Sequence, residues 1–275
     1  MSIIDKALTK ARATAQRDDR PVPPSRPRSG GSIKLDLAHL QEEGLLVPSE
    51  HARAVRNQYR SIKSPILDLA LGRSAPRPAA ANVIVVTSAV PGEGKTFSAV
   101  NLAMALALER EVSVVLIDAD LARPRISSVL GLGDRQGLAE YLAGDAPNWR
   151  DLSLVTDHHG MIVLPAGRAA GRGPELLATS QMDALLAEVT RPGSNEIVVI
   201  DSAPLLATNE ARVLVRHAGQ IVMVVRANST LKPEFNEALS MLNRSKPIGL
   251  ILNQARTVFG DYYYGQYGDY DQQVD

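Results

Sequence analysis

Ser88-Ala89-Val90-Pro91-Gly92-Glu93-Gly94-Lys95-Thr96 decides how this chain folds. The apolar run Val83-Ile84-Val85-Val86 leads into it, and an alanine-rich helical pattern leaves it. Strand, glycine loop, Lys-Thr and helix, in that order, is the setting of a phosphate-binding P-loop. The loop amides and the start of the following helix converge on one spot and favour an anion there. Lys95 is placed to reach the terminal phosphates of a nucleoside triphosphate, and the Thr96 hydroxyl to ligate magnesium. The expected phosphate cradle is Pro91, Gly92, Glu93, Gly94, Lys95, Thr96 and Phe97. Ala89 stands where the usual pattern G-x-x-x-x-G-K-[ST] has its first glycine, so Gly92 and Gly94 must supply the backbone freedom.

Working outward, 275 residues suffice for a full α/β core with appendages. Lys plus Arg and Asp plus Glu stand at 30 each, so nothing in the overall charge points to nucleic acid. The charge is unevenly placed. Residues 1–35 carry eight Lys or Arg against three Asp, whereas residues 257–275 carry four Asp and no Lys or Arg. The chain has no cysteine, which excludes disulfides, thiolate catalysis and sulfur-ligated metals and fits a reducing compartment. No apolar run approaches the roughly 20 residues of a membrane span, and no signal-peptide core is visible, so a cytoplasmic location is expected.

Residues 1–16 read as a short amphipathic helix, with Ile3, Ile4, Ala7, Leu8 and Ala11 on one stripe and Lys6, Lys10 and Arg12 elsewhere. Residues 17–34, rich in Pro, Arg, Gly and Ser, read as a disordered linker. The main domain is expected over 35–256 and a flexible tyrosine-rich tail over 257–275. Ser49 is a plausible N-cap for a helix to about Leu71, and Pro76-Arg77-Pro78 then breaks the helix. From there apolar runs at 83–87, 112–117, 161–164, 197–200, 221–225 and 248–252 alternate with helical stretches near 96–109, 174–190, 207–217 and 231–244. Strands apolar on both faces and separated by helices predict a doubly wound, mostly parallel α/β sheet of P-loop NTPase type, with helices on both faces.

Two more strands end in carboxylates. Val114-Val115-Leu116-Ile117 runs into Asp118-Ala119-Asp120, and Ile197-Val198-Val199-Ile200 runs into Asp201. In an open α/β sheet the functional crevice lies beyond the carboxyl ends of the strands, which places these carboxylates near the P-loop. One Asp after a strand is often only a cap; two such strands beside a P-loop suit magnesium held near a triphosphate. The adjacent His158-His159 is a poor metal site and is expected in a loop.

These segments together resemble the bacterial tyrosine kinases, P-loop enzymes unrelated to eukaryotic protein kinases. Pro91 to Thr96 is similar to their first motif, Val115-Leu116-Ile117-Asp118-Ala119-Asp120-Leu121-Ala122-Arg123-Pro124-Arg125 to the second, and Ile200-Asp201-Ser202-Ala203-Pro204 to the third. Gly137-Leu138-Ala139-Glu140-Tyr141-Leu142, Leu164-Pro165-Ala166-Gly167, Pro174-Glu175-Leu176-Leu177 and Ile251-Leu252-Asn253 fall in the family's order too. Ser2-Ile3-Ile4-Asp5-Lys6-Ala7 and Tyr59-Arg60-Ser61-Ile62-Lys63-Ser64-Pro65 resemble the exopolysaccharide-locus, CpsD/CapB-like branch, in which the kinase is a separate soluble chain.

The resemblance implies ATP and Mg2+ as cofactors, with Lys95 on the β/γ phosphates, Thr96, Asp120 and Asp201 at the metal, and Asp118 as base for a tyrosine hydroxyl. Lys95, Asp118 and Asp120 are thus the catalytic candidates, and Asn253 would face the nucleobase, though a strand-end turn role suits Asn equally. Ala122 replaces a frequent arginine and is given no role. The implied partners are a membrane-embedded polysaccharide chain-length (co-polymerase) protein, which would hold the chain peripherally at the inner membrane, further copies of the chain in a homo-oligomer, and a protein-tyrosine phosphatase. Subunit contacts are implied through E-x-x-R-x-x-R on a helix before the core. Glu50/Arg53/Arg56 has that spacing, and Asn57/Arg60/Lys63 is a weaker copy; a solvated helix face explains either equally well.

Beside such a core the tail reads as substrate. Tyr262, Tyr263, Tyr264, Tyr267 and Tyr270 are five of the chain's seven tyrosines, set among Gly and Asp that prevent a packed strand. Autophosphorylation there, in trans, with control of exopolysaccharide polymerisation and export, is the expected function. The alternative is a MinD/ParA-like nucleotide-switched positioning ATPase of nearly the same fold. Those proteins carry a signature lysine early in the P-loop, where this chain has Val90.

Overall fold

In the structure, a computed structural model, residues 30–45, 53–73, 77–191 and 193–255 are described, with the side chains of Arg53 and Ala54 left aside. The expected helix over 1–16, most of the expected linker, Ser49, Glu50 and the whole tyrosine tail lie outside the described residues.

Eight strands form one sheet. In chain order they are β1 (Gly31–Ile33), β2 (Val83–Ser88), β3 (Ser113–Asp118), β4 (Leu154–Thr156), β5 (Ile162–Leu164), β6 (Glu196–Asp201), β7 (Gln220–Arg226) and β8 (Ile248–Asn253). The spatial order is β1-β4-β5-β3-β6-β2-β7-β8, parallel at every pairing except β4 with β5. The central strand β2 is buried along its whole length, so both alternating sets of side chains must be apolar. Ile84 and Val86 point into one core layer and Val83 and Val85 into the other.

Nine helices cover the two faces among the described residues: α1 (Leu37–Glu42), α2 (Arg53–Ala70), α3 (Lys95–Ala107), α4 (Ile126–Val129), α5 (Leu138–Ala143), α6 (Gly173–Leu177), α7 (Ser180–Val189), α8 (Asn209–His217) and α9 (Lys232–Ser240). α3 packs against the sheet and against α2, which explains why KTFSAVNLAMALA is apolar nearly all round rather than striped. Tyr59 of α2 is buried over it, beside Ser98 and Asn101, and burial pushes its phenol up to about 12. The predicted helix over 174–190 is two, α6 and α7, broken at Ala178-Thr179. No described helix is long and apolar enough to cross a membrane.

The start of the domain differs from the reading. Residues 31–33, assigned to the linker, are strand β1, which pairs with β4 in register Gly31–Leu154 to Ile33–Thr156. Asp36 caps α1 through Ala38 N and His39 N, and Asp157 Oδ1 accepts the Leu35 amide at 3.0 Å. Leu35, Leu40 and Leu45 enter the core and hold this segment down. A run of three strand residues flanked by Ser and Gly has no periodicity to read; it exists because β4 offers an edge.

Candidate active site

The P-loop is held by its own residues and by distant strands. Gly92 and Gly94 have φ of 83° and 94°, the left-handed region that side chains disfavour. Ala89 is fully buried and is not among the positive-φ residues, so the position where a glycine was expected needs none. Glu93 is buried. Its Oε2 accepts the Val90 amide at 2.8 Å, and its Oε1 accepts the Thr230 hydroxyl. The Glu93 carbonyl accepts Asn253 Nδ2 at 2.9 Å, and a Cβ on Gly94 would lie 2.0 Å from that nitrogen. Asn253 therefore braces the loop backbone. Its expected place facing a nucleobase is not visible in these contacts, and it does not line the cavity described next.

A cavity of about 550 Å³ opens at the loop. Among the expected residues, Pro91, Gly92, Gly94, Lys95, Thr96, Phe97 and Asp120 line it. Asp118 and Asp201 lie out of contact with the cavity, side by side at the ends of β3 and β6, both fully buried. Asp118 Oδ2 accepts the amides of Arg125 (3.2 Å) and Ile126 (2.9 Å), while Oδ1 has no partner. Asp120 Oδ1 accepts the Arg123 amide at 3.1 Å. Both carboxylates thus tie down the turn that follows β3.

Burial raises all three carboxyls, against partial offsets. Asp118 is driven well above its ordinary range by desolvation and then by the neighbouring Asp201. Asp120 is raised by desolvation, opposed by the Arg123 amide and the Lys95 charge. Asp201 is pushed up to about 7 by desolvation, pulled back by the nearby Thr96 hydroxyl and Lys95. That hydroxyl stops short of hydrogen-bond geometry, for neither Asp201 oxygen has a partner. An orphaned, sealed carboxylate beside Thr96 and Lys95 fits a site built for magnesium. Among the described residues no cluster of three His, Cys, Asp or Glu stands as a complete metal cage.

Several lining residues escaped the sequence reading. Glu43 and Leu45 arrive from the segment after α1, and Pro204, Ala207 and Thr208 from the turn before α8. Arg123 and Arg125, inside the second motif but given no role, are exposed at the cavity. His158 and His159 sit edge to ring in the turn after β4, their centroids 5.0 Å apart, and His158 Nε2 meets the Met104 carbonyl at 3.1 Å. Of the two helix-face copies, Lys63 is already engaged with Glu109 at 2.7 Å and the Ala105 carbonyl at 2.9 Å, while Asn57 and Arg60 are exposed.

Other motif residues prove architectural. Glu140 Oε2 accepts the Gly137 amide at 2.7 Å and Oε1 the Arg168 amide at 3.1 Å. Leu138 N and Ala139 N reach the carbonyls of Pro165 and Ala166 at 2.8 and 2.9 Å. The segments Gly137–Leu142 and Leu164–Gly167 are therefore two halves of one clasp.

Comparison with known proteins agrees with this architecture. A family profile described as NUBPL iron-transfer P-loop NTPase, of the ParA type, matches residues 79–246. YwqD of Bacillus subtilis (strain 168), a tyrosine-protein kinase, is 30% identical over 242 residues, 87% of this chain and 98% of its own length. The chain belongs to the bacterial tyrosine kinases. Wzc of Salmonella typhimurium (strain LT2) is 32% identical over 198 residues, 70% of this chain but 27% of that longer relative. The solved kinase domain of Escherichia coli Etk superposes with a TM-score of 0.66 at 25% identity, covering 78% of this chain and 82% of the domain. Septum-site-determining MinD from Pyrococcus horikoshii OT3, at 24% identity, TM-score 0.51 and coverage of 62% and 69%, shares the fold alone. As a bacterial tyrosine kinase, the chain keeps Lys95, Thr96 and the strand-end aspartates together at one end of its sheet.

Proposed function

We propose that this bacterial tyrosine kinase transfers the γ-phosphate of ATP, with Mg2+, to the tyrosines of its own C-terminal cluster, in trans. The observation that carries this reading over a nucleotide-switched positioning ATPase is Val90. The signature lysine of such switches would stand there, and the apolar side chain of Val90 cannot supply its charge. The tyrosine cluster beyond the described residues supplies the acceptor.

In this reading Lys95 and the loop amides hold and orient the phosphates, while Thr96, Asp120 and Asp201 would hold a magnesium ion, which would supply positive charge beside the phosphates and the raised carboxyls. The tyrosine oxygen bonds to the γ-phosphorus as the bond to the β–γ bridging oxygen breaks, and ADP leaves with that electron pair. The phenolic proton passes to Asp118 at Oδ1, the oxygen with no protein donor. Regulation of exopolysaccharide polymerisation and export, through a membrane co-polymerase that recruits the chain to the inner membrane, and reversal by a phosphatase belong to the same proposal.

The test is incubation of the pure full-length chain with Mg-ATP, followed by detection of phosphotyrosine. Lys95→Met abolishes the signal and weakens ATP binding. Asp118→Asn keeps ATP binding but lowers transfer at least about 100-fold, the scale of lost proton transfer. Full autophosphorylation by Lys95→Met would overturn the assignment.

A further inference from the structure

Arg123 and Arg125 are exposed on the same cavity that Lys95 and Asp120 line, and among the described residues neither guanidinium is in an ion pair. Their backbone is unusually well fixed for exposed residues. The Arg123 amide is held by Asp120 Oδ1 and the Arg125 amide by Asp118 Oδ2, with Pro124 between them locking one dihedral. Two cations are thus set in register with the two carboxylates proposed for the chemistry. The cavity also presents Glu43 and Asp120, so its lining is mixed in charge; the Arg123 charge already lies close enough to Asp120 to lower it.

We infer that Arg123 and Arg125 form the subsite that selects tyrosines with an adjacent anion, and so set the order in which the tail is phosphorylated. This rests on the proposal that the tail is the substrate. Arginine forks bind carboxylate and phosphate bidentately, and the residue next to the acceptor tyrosine rises about 3.3 Å along an extended chain with its side chain on the opposite face, so its anion meets a long guanidinium arm beside the reacting carboxylates rather than the carboxylates themselves. Read against the tail Asp261-Tyr262-Tyr263-Tyr264-Gly265-Gln266-Tyr267-Gly268-Asp269-Tyr270-Asp271, the rule discriminates. Tyr262 follows Asp261, and Tyr270 lies between Asp269 and Asp271. These two react first. Phosphate on Tyr262 then places a charge of about −1.5 to −2 beside Tyr263, which gives Tyr263 the anion it lacked, and Tyr264 follows in the same way. Tyr267, between Gln266 and Gly268, gains no adjacent anion at any stage and reacts last.

The experiment is a time course of the full-length chain with Mg-ATP, mapped site by site by mass spectrometry, for wild type and the Arg123→Gln/Arg125→Gln variant. It is paired with kinetics on a synthetic peptide of residues 258–271 and on the same peptide with its three Asp changed to Asn. Wild type is expected to fill Tyr262 and Tyr270 before Tyr264 and Tyr267, with at least a tenfold higher KM for the neutral peptide. In the double variant that peptide preference collapses and the order is lost, while the KM for ATP moves less than threefold; Arg→Lys at both positions restores part of the preference. A large loss of ATP affinity with an unchanged peptide preference assigns the arginines to the nucleotide and overturns the inference, as does an unordered wild-type time course. Should wild type transfer no phosphate, the proposed function falls. Anisotropy of the labelled peptide on Lys95→Met protein then still decides the subsite: tighter binding of the acidic than the neutral peptide, lost in Lys95→Met carrying Arg123→Gln/Arg125→Gln, upholds it, and equal binding rejects it.

Discussion

Asp201 is sealed from water with both oxygens unsatisfied, and its folded pKa, pushed up to about 7, stands above the ordinary 3.8. A group raised in this way favours the folded state fully below its unfolded value, and that contribution is lost as pH rises through the folded one. At about pH 8 the ligand-free kinase therefore carries a penalty on the order of a few kcal/mol at this residue. We expect its melting temperature to rise as pH falls from about 8 to about 6.5, and Asp201→Asn to flatten that rise and melt several degrees higher at about pH 8. Differential scanning calorimetry on both proteins checks this; an identical pH slope would refute it. His158 and His217, both lowered by burial, pull the other way as pH falls through their range and cancel in the comparison with Asp201→Asn, whereas Asp118, raised in part by the Asp201 charge, pulls the same way as Asp201 and is relaxed with it in the variant. At this scale the sequence was legible where chemistry restricts residue type: Lys95, Thr96, Gly92, Gly94 and the three aspartates are where strand ends and a P-loop put them. It was silent where a residue's job is a contact made across the chain. Asn253 could not be assigned to the Glu93 carbonyl, nor Tyr59 to its buried place over α3, because those neighbours meet only in three dimensions.

Among the elements, β2, β3, β6 and β7 were readable because burial on both faces demands uninterrupted apolar runs, and β8 because its sequence is apolar although Leu250 and Leu252 are exposed. β1 and β4 were not, since Gly31-Ser32-Ile33 and Leu154-Val155-Thr156 mix polar and apolar residues over three positions, whereas β5, equally short, showed as the apolar run 161–164. The short 3-10 turn Trp149–Leu152 was equally invisible, yet it locks two elements together. Arg150 pairs with Glu188 of α7 at 2.8 Å and with Glu196 of β6 at 2.9 Å, and its guanidinium lies 4.3 Å from the Trp149 ring centroid. Arg150→Met leaves Glu196, 12% exposed, as an unpaired charge and should cost about 3–5 kcal/mol in urea unfolding. Pairing it with Glu196→Leu should recover more than half of that loss, because the stranded charge is gone. A double variant no more stable than the single one would show that the lock acts through packing instead.

For the whole molecule, assembly and the acidic tail belong to one proposed device. Unphosphorylated tyrosines enter a neighbouring copy's cavity and hold copies together; one phosphate is matched by Arg123 and Arg125, but several load the tail with more negative charge than two arginines pair and repel it from carboxylates and nucleotide. At about 1 kcal/mol or less per screened charge pair, more than one phosphate is needed to release a multivalent contact. Light scattering should give a smaller mass for ATP-treated wild type than for Lys95→Met, and no shrinkage when Tyr262, Tyr263, Tyr264, Tyr267 and Tyr270 are all Phe. Equal masses at concentrations where Lys95→Met self-associates would reject the device. The brace from Asn253 to the Glu93 carbonyl has a different kind of consequence, because it spans 160 residues. Ribosomes add about 5–20 residues per second, so the P-loop emerges roughly 8–32 s before the side chain that holds it in shape. The strap that brings Glu43 and Leu45 to the cavity waits as well, for Asp157, 122 residues beyond Leu35. A nascent chain carries the nucleotide motif long before it carries the nucleotide site. Phosphotransfer is thereby postponed until the last strand of the sheet has been made.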